Sequence, residues 1–479
     1  MLRLTWVQPE DLIGHELHQA TQDGREPKAI AARWRAAGGP DAPLTAGASP
    51  TPASRYLRQL AEDLLDELAD LPSTLTDDEP TDLAAIKSLC PAWSLPEPAG
   101  SRAAGAARVG AGGTPPAPAS DPTPTPATTP QHLEAAWLGR AVGCLLGKPV
   151  EKLPLDAIRQ LAESTGNWPL TTYFTARGVP QDLLAAHPWN RRSAQTSLAE
   201  NIDGMPEDDD LNYPLLNLIL LQRHGTSFTT TDVARTWLDE LPAGRTFTAE
   251  RIAYRNLLTG LEPPHTARHR NPFREWIGAL IRADMHGWTN PGDPATAAEQ
   301  AHRDATLTHT ANGVYAAMFT AATIARAATG EHDVHTCLRT GLTVVPPRSR
   351  LARAVHHAIR LAREHDDFDT VVDQLHATHA ATHHWVHAVP NTALVAAALT
   401  HADGDFSGSI CRAVSGGWDT DSNGATAGSI AGLLAGDPAA LPDRWTAPLK
   451  NRLSTSVGDF NGIGFDTLAH LTHRETHRS

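Results

Sequence analysis

The chain has 479 residues, a net charge of −14 and only 5% aromatic side chains. That length permits a large core, which must be built here mainly from Ala, Leu, Val and Ile. An acidic balance without a long basic patch excludes a track for the phosphate backbone of nucleic acid.

Residues 1–95 form a first region with two helical patterns, EDLIGHELHQATQ and SRYLRQLAEDLLDELADL. The second sets Leu57, Leu60, Leu64, Leu65 and Leu68 on one face with acids opposite, which suits packing or docking and carries no chemical signature. Residues 96–130 are Ala, Gly, Pro, Thr and Ser apart from a few others, with Val109 the one large aliphatic side chain. Such a stretch buries too little to offset its ordering entropy, so it reads as a flexible linker. From 131 to 479 apolar residues recur at three- and four-residue spacing, as in LEAAWLGRAVGCLLG, PLLNLILLQRHG and GVYAAMFTAATIARAATG. Alternating β-branched runs are scarce, so the expected fold class is all-α. Cys90, Cys144, Cys337 and Cys411 stand far apart with no C-x-x-C pair, which predicts neither a zinc knuckle nor a disulfide framework. The opening MLRLTWVQPEDL has no apolar leader core, and no run of about 18 apolar residues occurs; the expectation is a cytoplasmic protein with no membrane partner.

Three short stretches carry the chemistry. In GRAVGCLLGKPVE, Gly139, Gly143 and Gly147 share one helix face. Each costs about 1 kcal/mol of helix propensity relative to Ala, so three in register imply close approach to another backbone. Gly147 followed by Pro149 ends that helix and leaves Glu151 in the loop beyond. Near the C-terminus, SGGWDTDSNGATAGSIAGLLAG repeats the device with Gly428, Gly432 and Gly436, so the two glycine faces are expected against each other. The third stretch, GMPEDDDLNYPLLNLILL, sets Asp208, Asp209 and Asp210 before a helix with Pro214 in its first turn.

Acids at helix N-termini are commonly caps and dipole partners, and Asp421, Ser422 and Asn423 read equally well as a cap before a helix beginning near Gly424. Taken together the clusters suggest something else. Three adjacent carboxylates joined by Asp419 and Asp421 would repel and hold on to protons unless cations were present. Hard divalent ions take such oxygens, and two ions about 3.5–4 Å apart can share bridging aspartates.

In combination these motifs resemble the ADP-ribosylglycohydrolases, whose relatives include the enzyme that reactivates dinitrogenase reductase. The family pattern is G-x-x-x-G-x-x-x-G-x-P-x-E, then T-D-D-T, then G-G-x-D-x-D-[TS] opening a glycine-faced helix. Here these stand at Gly139–Glu151, Asp208–Leu211 and Gly416–Ser422, in the same order. The resemblance implies an orthogonal all-α fold over 131–479 and a binuclear Mg²⁺ (or Mn²⁺) centre. It implies Asp208, Asp209, Asp210, Asp419, Asp421 and Ser422 at the metals, with Glu151 and Asp209 acting in catalysis. Asp208 stands where the family has a threonine, which adds negative charge, and Leu211 replaces the closing threonine, which removes an oxygen.

Further residues stand out, one by the same resemblance and the others by their local pattern. HRDATLTHTANGVYAAMF is similar to the family's T-H element, which sets His309 at the substrate, with Asp304 a weaker candidate. Arg282 and Asp284 suit a phosphate contact or, alternatively, a helix-surface ion pair. Trp418, between Gly417 and Asp419, suits stacking on a base or ribose. His376, His379, His383 and His387, at steps of three and four, would share one helix face, either as a grip for zinc or nickel or as a solvated face.

The implied reaction is hydrolysis at the anomeric carbon of an ADP-ribosyl or related ribosyl substrate, borne by a protein or a small metabolite. Two alternatives stay open on the Asp208 and Leu211 departures: an ADP-ribose-binding protein with altered catalysis, and a hydrolase of a nicotinamide-nucleotide-derived riboside.

Overall fold

In a computed structural model, which describes residues 3–43, 47–93 and 128–478, the chain is all-α. Helices join through short turns and 3₁₀ segments, and among the described residues β-pairing is limited to three isolated bridges. No helix among them is long and apolar enough to cross a membrane.

The centre of the fold is the pair of glycine-faced helices Pro130–Gly147 and Thr420–Ala435. They run antiparallel with backbones in contact. A Cβ at Gly139 would strike the Gly428 carbonyl, one at Gly143 the Gly424 carbonyl, and one at Gly432 the Ala135 carbonyl. The seam therefore lies one turn earlier than the sequence suggests. Gly424, Gly428 and Gly432 face the partner, whereas Gly436 closes the helix as its left-handed C-cap at φ 76°. The late helix also begins before Gly424: Asp419 is its N-cap and Thr420 its first residue. Thr420 Oγ1 donates to the Gly147 carbonyl at 2.8 Å, which ties the end of one helix to the start of the other.

Pro214 is not in a first turn either. The helix runs Asp209–His224, and Pro214 sits inside it. A proline there leaves the carbonyl four residues earlier without its helical donor. That carbonyl belongs to Asp210, and Arg140 Nε fills the gap at 2.6 Å.

Residues 94–127, most of the expected linker, lie outside the described residues. The expected boundary at 130 shifts slightly, because Thr129 caps the following helix in a reciprocal box with His132 and Pro130 is already its first residue. Upstream, the two expected helices are Pro9–Gln22 and Arg55–Asp70, joined by the shorter Lys28–Ala36 and Leu83–Leu89. Leu64, Leu65 and Leu68 are buried while Leu57 and Leu60 are only half-covered. This first region packs on the rest of its own chain. Arg274 holds Glu16 at 2.6 Å, Gln19 reaches Glu275 at 2.8 Å, and Arg350 holds Glu79 at 2.6 Å.

Candidate active site

The antiparallel seam places the chemistry. Where the first helix ends, the 3₁₀ turn Lys148–Val150 delivers Glu151 next to the N-terminus of the late helix, which carries Asp419 and Asp421. Glu151, Asp419 and Asp421 each offer a carboxylate oxygen within 4.8 Å of the others. The turn before them is fixed by Gly417 at φ 77° and Trp418 at φ 58°, and by Asn391, whose Oδ1 accepts from Asp419 N at 3.2 Å and Asn423 Nδ2 at 2.7 Å. A third strut comes from the Asp209–His224 helix, whose N-terminus points its acids at the same place: Ser422 Oγ donates to Asp210 Oδ2 at 3.1 Å. All six acids and Ser422 line one cavity of about 450 Å³.

Capping accounts for only one of these acids. Asp208 does cap its helix, accepting from Asp210 N at 3.0 Å. Asp419 makes no side-chain cap, although it is the N-cap residue.

Charge compensation divides the cluster. Burial alone would raise the Asp208 carboxyl, but Lys148 pairs with it directly and holds it below the usual carboxylate range. Asp210 is paired with Arg140 at 3.1 Å, and Arg140 reaches on to Asp284 at 3.0 Å. Even so, burial pushes the Asp210 carboxyl well up, as it does Asp284 less strongly. Asp209 has no hydrogen-bond or ion-pair partner among the described residues; burial, then Asp208 and Asp421, push it well above its ordinary value. Burial followed by Asp421 and Glu151 does the same to Asp419. Burial and the charge of Glu151 bring Asp421 up to about 7. Glu151 itself is held by Asn190 Nδ2 at 2.7 Å and Lys152 Nζ at 2.8 Å.

A divalent cation fits this donor set. The ligand atoms are hard carboxylate oxygens with a hydroxyl beside them, and Asp209, Asp419 and Asp421 lack a cation of their own. Asp208 and Asp210, expected as ligands, already carry Lys148 and Arg140. Leu211 is wholly buried in the core and offers nothing to the cavity.

Three residues expected at the substrate stand elsewhere. Arg282 is fully buried behind the cavity, its guanidinium taken by Asp304 at 2.8 Å, Glu250 at 3.0 Å and Thr308 at 2.8 Å. An arginine so surrounded has no donor to offer a phosphate. His309 is equally buried, its Nδ1 against Thr308 Oγ1 at 2.6 Å, and burial drives its pKa well down. Trp418 keeps its backbone beside Asp419 but stacks its ring on His376 with centroids 4.2 Å apart. The histidine row does not share a helix face either. Its helix stops at His379, and His387 caps the next one, although His379–His383 and His383–His387 still meet ring to ring at 5.3 and 4.7 Å.

Residues that the sequence reading passed over include Arg140, Lys148, Asn190 and Asn391. Arg140 had a signal, since it is the one Arg or Lys in the glycine-faced helix and stands in its apolar stretch Ala135–Gly147. Asn190 and Asn391 had none, because nothing in their local pattern ties them to the site.

The family model described as ADP-ribosylglycohydrolase matches residues 125–477. The chain belongs to the ADP-ribosylglycohydrolase family. No curated protein matches it. A solved structure titled "ADP-ribosylglycohydrolase-related protein complex" is 22% identical with a TM-score of 0.44, and the match covers 72% of this chain and 98% of that one. Membership in the ADP-ribosylglycohydrolase family supports a glycohydrolase whose substrates are of the ADP-ribosyl kind, and family members generally use divalent metals.

Proposed function

We propose that the chain hydrolyses the glycosidic bond at the anomeric carbon of an ADP-ribosyl compound, with two Mg²⁺ (or Mn²⁺) ions among Asp209, Asp419, Asp421 and Glu151. The observation that carries this reading is the convergence of Glu151, Asp419 and Asp421 within 4.8 Å in a cavity where Lys152 pairs with Glu151 but neither Asp419 nor Asp421 has an ion-pair partner among the described residues. Structural ion clusters end with their charges paired. This one does not, and excess buried negative charge is what a cation site requires.

Bound divalent ions supply positive charge that holds ribose hydroxyls and makes coordinated water more acidic. The chain's own residues do the rest. Asn190 and Lys152 orient Glu151, which exchanges a proton with the attacking water or the leaving atom as the oxocarbenium-like state forms. Asp209 holds its carboxylate toward the same centre from the opposing helix. Arg140 and Lys148 anchor Asp210 and Asp208, so that the two helix N-termini keep their spacing.

A second reading rests on one observation. Asp208 and Asp210 are paired with Lys148 and Arg140, which leaves fewer free ligands than six and suits a protein that binds ADP-ribose with little turnover. A mass-spectrometric screen with and without Mg²⁺ decides between the two. Its panel holds ADP-ribosyl-arginine, an ADP-ribosyl-serine peptide, O-acetyl-ADP-ribose and nicotinamide-derived ribosides. Metal-dependent hydrolysis of one substrate, lost in Asp421→Asn, is expected. Binding of ADP-ribose with every substrate intact would favour the second reading.

A further inference from the structure

The family match begins at residue 125, yet a side chain from residue 6 reaches the cavity. Trp6 lines it together with Phe247 and Trp385, the three aromatic side chains of its wall among the described residues. Its placement is built rather than incidental. Arg251, one turn into the helix that follows Phe247, clamps Thr5 through its carbonyl at 3.1 Å and its hydroxyl at 2.6 Å. Trp6 N donates to the Gly47 carbonyl at 2.5 Å. The indole lies against Gly47 so closely that a Cβ there would come within 2.5 Å of its ring. Phe273 and Trp276 meet it edge-on, with centroids at 5.5 and 6.0 Å.

The backbone adds an independent sign. Trp6 stands at φ 65°, where a bulky residue is a genuine outlier, and such strain collects where the surroundings over-determine a conformation for function. Thr248, also on the cavity wall, is strained at φ 35°.

We infer that Trp6 is a specificity-determining residue, the platform on which the flat adenine of the substrate stacks. The inference rests on the ADP-ribosyl reading above and deepens it. The acids take the ribosyl end of the substrate, so the base needs an apolar, planar partner elsewhere in the cavity. Arg191, Arg192 and Arg245, the last paired with Glu207 at 3.0 Å, also line the cavity and suit the diphosphate. The N-terminal region is thereby part of the substrate site, not only a docked appendage.

Calorimetric titration of the full chain with ADP-ribose, AMP and ribose 5-phosphate tests this. Trp6→Leu, which keeps apolar volume without a π face, should weaken ADP-ribose and AMP by about 5- to 100-fold and leave ribose 5-phosphate unchanged. Trp6→Phe should stay within about threefold of wild type, since one ring replaces another. Gly47→Ala, which displaces the indole without deleting it, should act like Trp6→Leu. Melting curves show that each variant is folded. Equal ADP-ribose affinity in wild type, Trp6→Leu and Gly47→Ala would overturn the assignment of Trp6. A wild-type protein that binds no ADP-ribose at all would instead overturn the ADP-ribosyl reading beneath it.

Discussion

Two acid clusters share the Asp209–His224 helix and differ in one respect. At its N-terminus, Asp209 joins Glu151, Asp419 and Asp421 around a cavity with too few cations. Two turns on, Asn217 reaches Asp304 at 2.8 Å, and there every charge is answered: Arg282 bridges Asp304 and Glu250, and His286 Nε2 lies 3.1 Å from Asp304. Burial raises carboxyl pKa values in both places. In the second cluster Arg282 and His286 more than reverse that at Asp304, bringing it down to about 2 although burial keeps Glu250 raised, whereas in the first Asp421 rises to about 7. Compensation, rather than burial or acid content, separates the cluster built to hold the fold from the one built to hold something else.

The same substitution should act oppositely in the two. Asp421→Asn removes one repelling charge; activity should fall by at least about 100-fold while the melting temperature holds or rises, and loss of fold instead would place Asp421 with the structural cluster. Asp304→Asn strands the buried Arg282 and should cost about 3–5 kcal/mol in chemical denaturation. The seam that positions the first cluster should be the next most sensitive. Gly428→Ala forces a Cβ into the Gly139 carbonyl and should cost about 1–3 kcal/mol, lowering activity as Glu151 moves away from Asp421.

Acid separates the regions further. Asp304 is depressed in the folded state, so its contribution is complete above about pH 4 and is lost as pH falls toward 2, roughly 2 kcal/mol in all. His15, on the first helix of the N-terminal region, is lowered to about 3 by burial and by its neighbours His384 and His18. A histidine kept neutral on folding loses stability as pH drops below about 6.5. The N-terminal packing around Trp6 and Trp276 should therefore loosen first, between pH 6.5 and 4. Hydrogen exchange across that range would show residues 9–22 opening while 209–224 stay protected; simultaneous opening would contradict it.

How legible this was in the sequence follows from where the information lies. The all-α class and the two glycine-faced helices were readable because their periodicity is local. The seam register was one turn off, because Gly436 fits both a packing face and a C-cap and only the partner helix distinguishes them. The acids could be grouped through the resemblance, and Glu151 through the helix stop before it. What periodicity cannot tell is which acid finds a cation. Lys148 and Arg140 neutralise Asp208 and Asp210 by a three-dimensional accident of facing, and Arg282 looked available only because Glu250, Asp304 and Thr308 are distant or unremarkable in sequence. Trp6 was invisible for the same reason, since nothing in MLRLTWVQ foretells a cavity whose other lining residues begin at Lys148, far downstream.

The glycine seam also has a bearing on how the molecule comes into being. Gly147 and Thr420, bonded to each other, are 273 residues apart. During synthesis at about 5–20 residues per second, the first glycine face and Asp208–Asp210 leave the ribosome long before the helix that completes them. Until then a bare stripe of backbone has no partner, and the acids that will converge on it are half missing. The acids of the cavity thus stay apart until the Thr420–Ala435 helix has been made, and the closing of one long loop becomes the step that brings them together.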